Sequence, residues 1–392
     1  MISVGIDVSK GKSTVCILKP GGEVVKPPFE LDHAVENLDS LVSLINSFDE
    51  EARIVLEDTG HYHLPVASYL SSHGIFVCCV NALRMKKYCA QSIRRAKTDK
   101  IDAVRIASFG ITYWSELTRA YDAPDTYDEL RFLARQYYQF TAILVKVKMN
   151  LSNLLDQVMP CISDLLQNGK LTEFVGRYIH FQAILDMGEK RFTADYCKWA
   201  KKMGYHCNER KAAEIFALAQ NGIPSLPNSQ SVKIAVREAI KMIHSTEESR
   251  NTILAQMQAL CKTLPEYSVV RDMNCIGDVL APRIIAEIGD VRRFRNKHSL
   301  IAYAGIDAPP YQSGTFNASE RKITKRGNSY LRKTGYEIMQ SLIKHKPADD
   351  PVYDFIQKKR SEGKCGKEAM IAGLNKFLRV YYGKVMELYS EQ

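Results

Sequence analysis

Several things are missing from this 392-residue chain, and each absence closes off a class of protein. No apolar run approaches the ~20 residues that a bilayer span needs, so no membrane segment is predicted. The opening residues read as a strand rather than as a leader, which predicts no signal peptide. There are ten cysteines but no C-x-x-C pair. Cys78 and Cys79 sit inside the apolar run 75–80, so the thiols read as buried and free, in a reducing cytoplasm. Cys197, His206 and Cys207 match no standard zinc spacing and have no evident fourth ligand. Residues 1–125 hold no glycine-rich phosphate loop, which argues against a kinase of the actin-like ATPase kind. Acid is also in short supply: 54 Lys and Arg face 44 Asp and Glu, a net charge of +10.

The excess of base is uneven. Residues 263–392 carry 22 Lys and Arg against 15 Asp and Glu, a difference of +7. Such a surplus favours a polyanionic partner bound with strong salt dependence. Length alone implies two or three domains. The pattern along the chain divides it at residues 1–125, 126–262 and 263–392.

Residues 1–80 alternate strand and helix signals: strands over 2–6, 13–18, 23–31, 53–56 and 75–80, with helices over 35–45 and 64–71. Pro27-Pro28 makes the third strand irregular. This β-β-β-α-β-α-β order predicts a ribonuclease H-like fold. From 126 to 262 the spacing turns helical. Leu130, Leu133, Tyr137, Phe140, Leu144 and Val147 form one stripe; Val232, Val236, Ile240, Ile243, Leu254, Met257 and Cys261 form another. Both read as core or as a coiled-coil dimer interface. Residues 162–228 are less periodic and predicted helical, without an assigned role. Near 276–289 an Ile276-Gly277 turn before an apolar helix predicts a helix-hairpin-helix-like element, although Asp278 and Pro282 depart from the usual hairpin.

Against this background four carboxylates stand out. Asp7 closes the apolar run 2–6 and Glu57 closes 52–56, while Asp99 and Asp102 lie three residues apart. Strand ends project together at one sheet edge, and an i,i+3 pair shares a helix face. Four acids so held repel one another unless a cation joins them. Mg²⁺ (or Mn²⁺ in its place) takes oxygen ligands and is the usual agent for breaking phosphodiesters. Asp58 adjoins Glu57, but neighbours on a strand face opposite ways, so only one of the two points inward.

Two basic stretches accompany the acids. Arg84, Lys86, Lys87, Arg94, Arg95, Lys97, Lys100 and Arg105 surround Asp99 and Asp102. Such a run is ordinarily a solvated helix face; beside two carboxylates it reads as a phosphate clamp. Downstream, Arg321, Lys322, Lys325, Arg326, Arg332 and Lys333 form a second candidate. Ser313 precedes Gly314 in a loop with little apolar cover, where a serine ordinarily does no more than cap or hydrogen-bond.

Three ordered motifs, Gly5-Ile6-Asp7-Val8-Ser9-Lys10, Glu57-x-Thr59-Gly60-x-Tyr62 and Lys97-Thr98-Asp99-Lys100-Ile101-Asp102-Ala103, resemble the DEDD transposases of the "one-ten" insertion-sequence family, which include site-specific DNA invertases. The C-terminal block is similar too, from Ile276-Gly277 through Gln312-Ser313-Gly314 to Thr324-Lys325-Arg326-Gly327-Asn328. The resemblance implies a RuvC-like N-terminal domain, a coiled-coil connector and a mainly helical C-terminal transposase domain. It implies that Asp7, Glu57, Asp99 and Asp102 bind Mg²⁺, and it favours Glu57 over Asp58. It implies that Ser313 is a nucleophile forming a phosphoserine link to DNA; Ser319 and Ser329 lack the following glycine. It also implies donor and target DNA as substrates and a structured "bridge" RNA as guide. The implied assembly is a homo-oligomer, a dimer or a tetramer, with composite sites from different subunits. The alternatives are a metal-only nuclease of the Holliday-junction-resolvase kind, a protein-guided invertase and a non-catalytic nucleic-acid binder.

Overall fold

The computed structural model describes residues 1–58, 60–90, 98–120, 125–309, 312–313, 316–317 and 322–391. The chain divides into two compact units, Met1–Asp122 and Ala123–Gln392.

The first unit is built on a five-stranded sheet. Its elements are β1 (Ile2–Val8), β2 (Lys12–Leu18), β3 (Val24–Asp32), α1 (Val35–Asn46), β4 (Ala52–Asp58), α2 (His63–Ser72), β5 (Phe76–Asn81), α3 (Ala82–Cys89) and α4 (Asp99–Thr112). The spatial order is β3-β2-β1-β4-β5; β1, β2 and β3 are antiparallel neighbours, and β1, β4 and β5 run parallel. This is the ribonuclease H-like, RuvC-like arrangement. Pro27 and Pro28 lie inside β3, on the sheet edge, where the pairing with β2 shifts register between Val15 and Ile17.

Alternation along β1 sorts its side chains between two layers. Val4 and Ile6 pack with Leu38, Leu41, Ile45, Val66 and Leu70 of α1 and α2. Ser3 and Gly5 face α4, where Ala103 and Ala107 join Cys16 and Leu18 in a second apolar layer. Asp7 continues that second face.

The second unit is helical. α5 (Asp125–Val158) and α11 (Gln230–Cys261) run 34 and 32 residues. Between them come α6 (Ile162–Leu165), α7 (Asn168–Tyr178), α8 (Phe181–Leu185), α9 (Glu189–Lys202) and α10 (Glu209–Asn221). After α11 follow α12 (Glu266–Arg271), α13 (Leu280–Ile288), α14 (Lys297–Ala304), the strands β6 (Gln312–Ser313) and β7 (Phe316–Asn317), α15 (Ser329–His345), α16 (Pro351–Ser361) and α17 (Gly366–Ser390).

The two long stripes pack antiparallel on one another within the chain. Tyr127 and Leu130 share a core with Met257 and Cys261, while Leu144 and Leu151 share another with Val236 and Ile243. Lys148 and Glu247 pair at 2.8 Å between them. Residues 162–228 close the distal end around Phe174, Tyr178, Phe192, Tyr196 and Trp199. At the other end α13 is buried along its length from Ala281 to Ile288 and packs with α5 and α15. α12 and α13 flank Ile276-Gly277 as two short helices, in keeping with the helix-hairpin-helix-like reading. Among the described residues no helix is long and apolar enough to cross a membrane.

Candidate active site

The acidic site begins with a glycine. A Cβ on Gly5 would lie 2.2 Å from the Ala107 backbone nitrogen and 2.4 Å from the Ala103 carbonyl oxygen. Only the missing side chain lets α4 lie this close on β1. Gly110, further along α4, sits over Ser3 and Val55. The helix therefore runs antiparallel to β1, and its first turn heads towards the strand end that carries Asp7. Ile6 pairs with Leu56, so one residue on, Asp7 and Glu57 stand side by side on adjacent parallel strands, about 4.8 Å apart in backbone. Val55 faces α4 beside Gly110, and Glu57, two residues later, faces the same way. Asp58 turns to the opposite face, where its carboxylate lies 3.7 Å from His63 Nε2.

Thr98 starts α4: its hydroxyl accepts a hydrogen bond from the Ile101 amide at 3.3 Å. Asp99 and Asp102 fall in the first turn, where the helix dipole favours negative charge. Asp99 is exposed; Asp7, Glu57 and Asp102 are half-buried. Arg105 Nη1 donates to Asp102 at 3.2 Å. Cys89, at the end of α3, senses both Glu57 and Asp102. Burial pushes its thiol up; Arg105 opposes that, and the two carboxylates add to it.

The acids thus stand as a strand pair and a helix pair. Among the described residues no three His, Cys, Asp or Glu form a ready metal cluster. The donor set is all carboxylate oxygen, which suits a hard divalent cation, and the in-register Asp7–Glu57 pair has the adjacency needed to share one.

Ser313 lies in the second unit. Its backbone occupies β6, paired antiparallel to β7 with Ser313 opposite Phe316, rather than an open loop. The flanking residues 310–311, 314–315 and 318–321 lie outside the described residues, as do Thr59, Arg94, Arg95, Lys97 and Arg321 of the sequence expectations.

The remaining bases fall into two groups. Lys100, Lys322, Lys325, Arg326 and Lys333 are exposed, with the Lys333 ammonium 5.6 Å above the Tyr138 ring. Arg332 is half-buried and used internally: its Nη1 donates to the Ala304 and Gly327 carbonyls at 2.9 and 3.0 Å. Arg105 is engaged with Asp102.

Sequence reasoning missed the buried charges beneath this segment. Glu287, fully buried, accepts from both terminal nitrogens of Arg135 and from Asn328 Nδ2 at 2.7 Å. Arg283, only 4% exposed, pairs with Glu337 at 2.6 Å. Burial opposes the Arg283 charge, and Glu337 and Tyr138 more than offset it. The available signal was one acid and one arginine inside an otherwise apolar helical run, 280–288.

Comparison with known proteins adds two family matches, two relatives and one solved structure. Residues 4–160 match the DEDD transposase family of insertion sequence IS110, and residues 267–354 match the transposase family IS116/IS110/IS902. A relative from Streptomyces clavuligerus, "Insertion element IS116 uncharacterized 44.8 kDa protein", is 21% identical over 374 residues, covering 95% of this chain and 91% of its own. The "Pilin gene-inverting protein" of Moraxella bovis is 22% identical over 335 residues, covering 85% and 80%. Among solved structures, T. thermophilus RuvC in complex with a Holliday junction substrate aligns over 31% of this chain and 99% of its own, with 11% identity and a TM-score of 0.25.

Proposed function

This chain belongs to the IS110 family of DEDD transposases, enzymes of DNA transposition and recombination, and on that premise we propose that it cleaves and exchanges DNA strands through Ser313 with the help of Mg²⁺ held by its carboxylates. The observation that carries the proposal is the Asp7–Glu57 pair, set in register under a helix whose first turn brings Asp99 and Asp102. Asp7, Glu57, Asp99 and Asp102 would hold the cation. When bound, it would supply charge neutralisation at a scissile phosphate and at the oxygen that leaves it.

The protein's own part is nucleophilic. Ser313 Oγ attacks phosphorus, an O–P bond forms, and the bond from phosphorus to a deoxyribose oxygen breaks. The serine proton passes to solvent or base, and the departing oxygen takes one up. The phosphoserine ester conserves the energy of the broken bond, so attack by a hydroxyl of another strand reseals it without ATP. Lys322, Lys325, Arg326 and Lys333 are exposed and would hold nucleic-acid phosphate. The family resemblance adds a structured guide RNA and a dimeric or tetrameric assembly with sites drawn from different subunits.

The test is strand exchange by the full chain purified with co-expressed RNA. Asp7→Asn and Asp102→Asn should abolish joining and leave DNA retention intact. Ser313→Ala should abolish the covalent protein–DNA adduct. Cleavage surviving Ser313→Ala would leave a metal-only nuclease with water as nucleophile. Exchange without any discrete co-purified RNA would leave a protein-guided invertase, the activity that the Moraxella relative's name suggests.

A further inference from the structure

We propose that the crossing of residues 303–307 with residues 324–328 is a neck that positions Ser313, and that Thr324 and Arg332 are positioning residues of the reaction; this rests on the reading of Ser313 as nucleophile. In sequence, Ser313 lies between the two legs, after α14 and before α15. The legs are bound rung by rung. The Asn328 amide donates to the Tyr303 carbonyl at 2.7 Å, Lys325 to Gly305 at 2.9 Å and Thr324 to Asp307 at 3.0 Å. At the outermost rung the Thr324 hydroxyl also donates to the Asp307 carboxylate at 2.6 Å.

The legs touch backbone to backbone. A Cβ on Gly327 would lie 2.1 Å from the Tyr303 carbonyl oxygen, and one on Gly305 2.6 Å from the Gly327 nitrogen. A single nitrogen of Arg332 reaches a carbonyl on each leg, Ala304 and Gly327, and so staples them. Beneath the staple Asn328 donates to Glu287, which Arg135 of α5 holds in turn.

Two helix ends need only their caps, and both are present. Gly305 closes α14 with φ at +65°, and the Asn328 side chain caps α15 through the Tyr330 and Leu331 amides. The extra rungs, the staple and a non-glycine residue held at positive φ (Lys325, +54°) go beyond capping. Backbone held in a sparsely populated region by an over-determined surrounding is characteristic of functional segments. A nucleophile needs placement to within about 0.5 Å, and a rigid neck at the base of the β6–β7 segment would contribute to that placement.

The experiment is single-turnover formation of the covalent adduct by the full chain with its co-purified RNA. The substrate is a supercoiled plasmid carrying the ends of the encoding element, with DNA retention and Tm measured alongside. Thr324→Val removes one hydroxyl and keeps the shape. The adduct rate should fall about 10- to 100-fold, with retention and Tm unchanged, and Thr324→Ser should restore it. Arg332→Lys keeps the charge and loses the planar fork, and should lower the adduct rate with retention intact. A full rate in both Thr324→Val and Arg332→Lys, with Ser313→Ala silent, overturns the neck and leaves the serine reading standing. Failure of Thr324→Ser to rescue also overturns the role of the hydroxyl. An adduct from Ser313→Ala overturns the serine reading, and the neck with it.

Discussion

The sharpest expectation concerns one methyl group. In Gly5→Ala the new Cβ would sit 2.2, 2.4 and 2.7 Å from the Ala107 nitrogen, the Ala103 oxygen and the Ala107 Cα. All three are backbone atoms of α4, so no side chain can swing aside. Ordinary contact needs about 3.5 Å, so the helix must lift from β1 by about 1 Å. Overpacking of this kind costs about 1–3 kcal/mol, which for a unit of this size lowers its melting temperature by about 4–12 °C. The same lift carries Asp99 and Asp102 away from Asp7 and Glu57, and misplacement by about 1 Å costs ~100-fold in rate. Gly110→Ala provides the control. Its Cβ would meet the side chains Ser3 Oγ at 2.1 Å and Val55 Cγ2 at 2.9 Å, further from the acids. Ser3 Oγ is buried without a hydrogen-bond partner among the described residues and can rotate, so the penalty should be smaller in stability and much smaller in activity. The assay is divalent-dependent strand cleavage together with thermal unfolding. Gly5→Ala with wild-type cleavage and wild-type melting would refute the account of how α4 is set against β1.

Three further outcomes follow from the same structure. Glu337→Leu leaves the Arg283 charge buried and without its partner, and should destabilise the second unit by about 3 kcal/mol in urea unfolding; a loss below ~1 kcal/mol would mean the pair contributes little. Cys161 and Cys365 are exposed, whereas burial pushes Cys79 and Cys261 up to about 12. A thiol reagent at pH 8 should therefore label Cys161 and Cys365 first and leave Cys79 and Cys261 unmodified until the protein unfolds, as peptide mass analysis would reveal. Glu50, bound by Lys19 and by the Met1 amine, is held down to about 2. A depressed folded-state value means that its contribution is complete above the ordinary carboxylate range and is lost as pH falls from about 4.3 towards 2. Glu50→Gln should match the parent's acid stability below pH 2 and fall behind it above pH 5.

The sheet was legible because alternation is local. A run such as Ile2-Ser3-Val4-Gly5-Ile6 announces a strand, and its end announces where Asp7 points. The same rule separates Glu57 from Asp58, which the structure sends to opposite faces. The two long stripes were legible as helices but not as partners. A three-and-four spacing says that a face is apolar and nothing about which face covers it, and here α5 and α11 cover each other. The basic stretch 84–105 read as one segment, yet α3 ends at Cys89 and α4 starts at Asp99. Asn81 and Thr98 cap these helices, and each is a start signal. Arg332 shows the opposite limit. Six bases in thirteen residues look alike in sequence, and only the fold turns one of them onto carbonyls. Glu287 and Arg283 were hidden for a related reason: a buried charge is tolerable only through partners at distant positions, Arg135 and Asn328 for one and Glu337 for the other. Ser313 has no local signature at all, and its assignment came from kinship.

The out-and-back course of α5 and α11 also bears on synthesis. The first turns of α5 bury Tyr127, Leu130 and Ala134 against Met257, Cys261 and Val270, and Tyr127 hydrogen-bonds Glu266, 139 positions later. At about 5–20 residues per second the ribosome needs on the order of 10 s to deliver those partners. The distal half of α5 has its own company sooner, in the aromatic cluster of residues 162–216. The nascent helix should therefore acquire its tip before its root, and proteolysis of arrested chains should cut near Tyr137-Tyr138 until the residues of α11 and α12 have emerged.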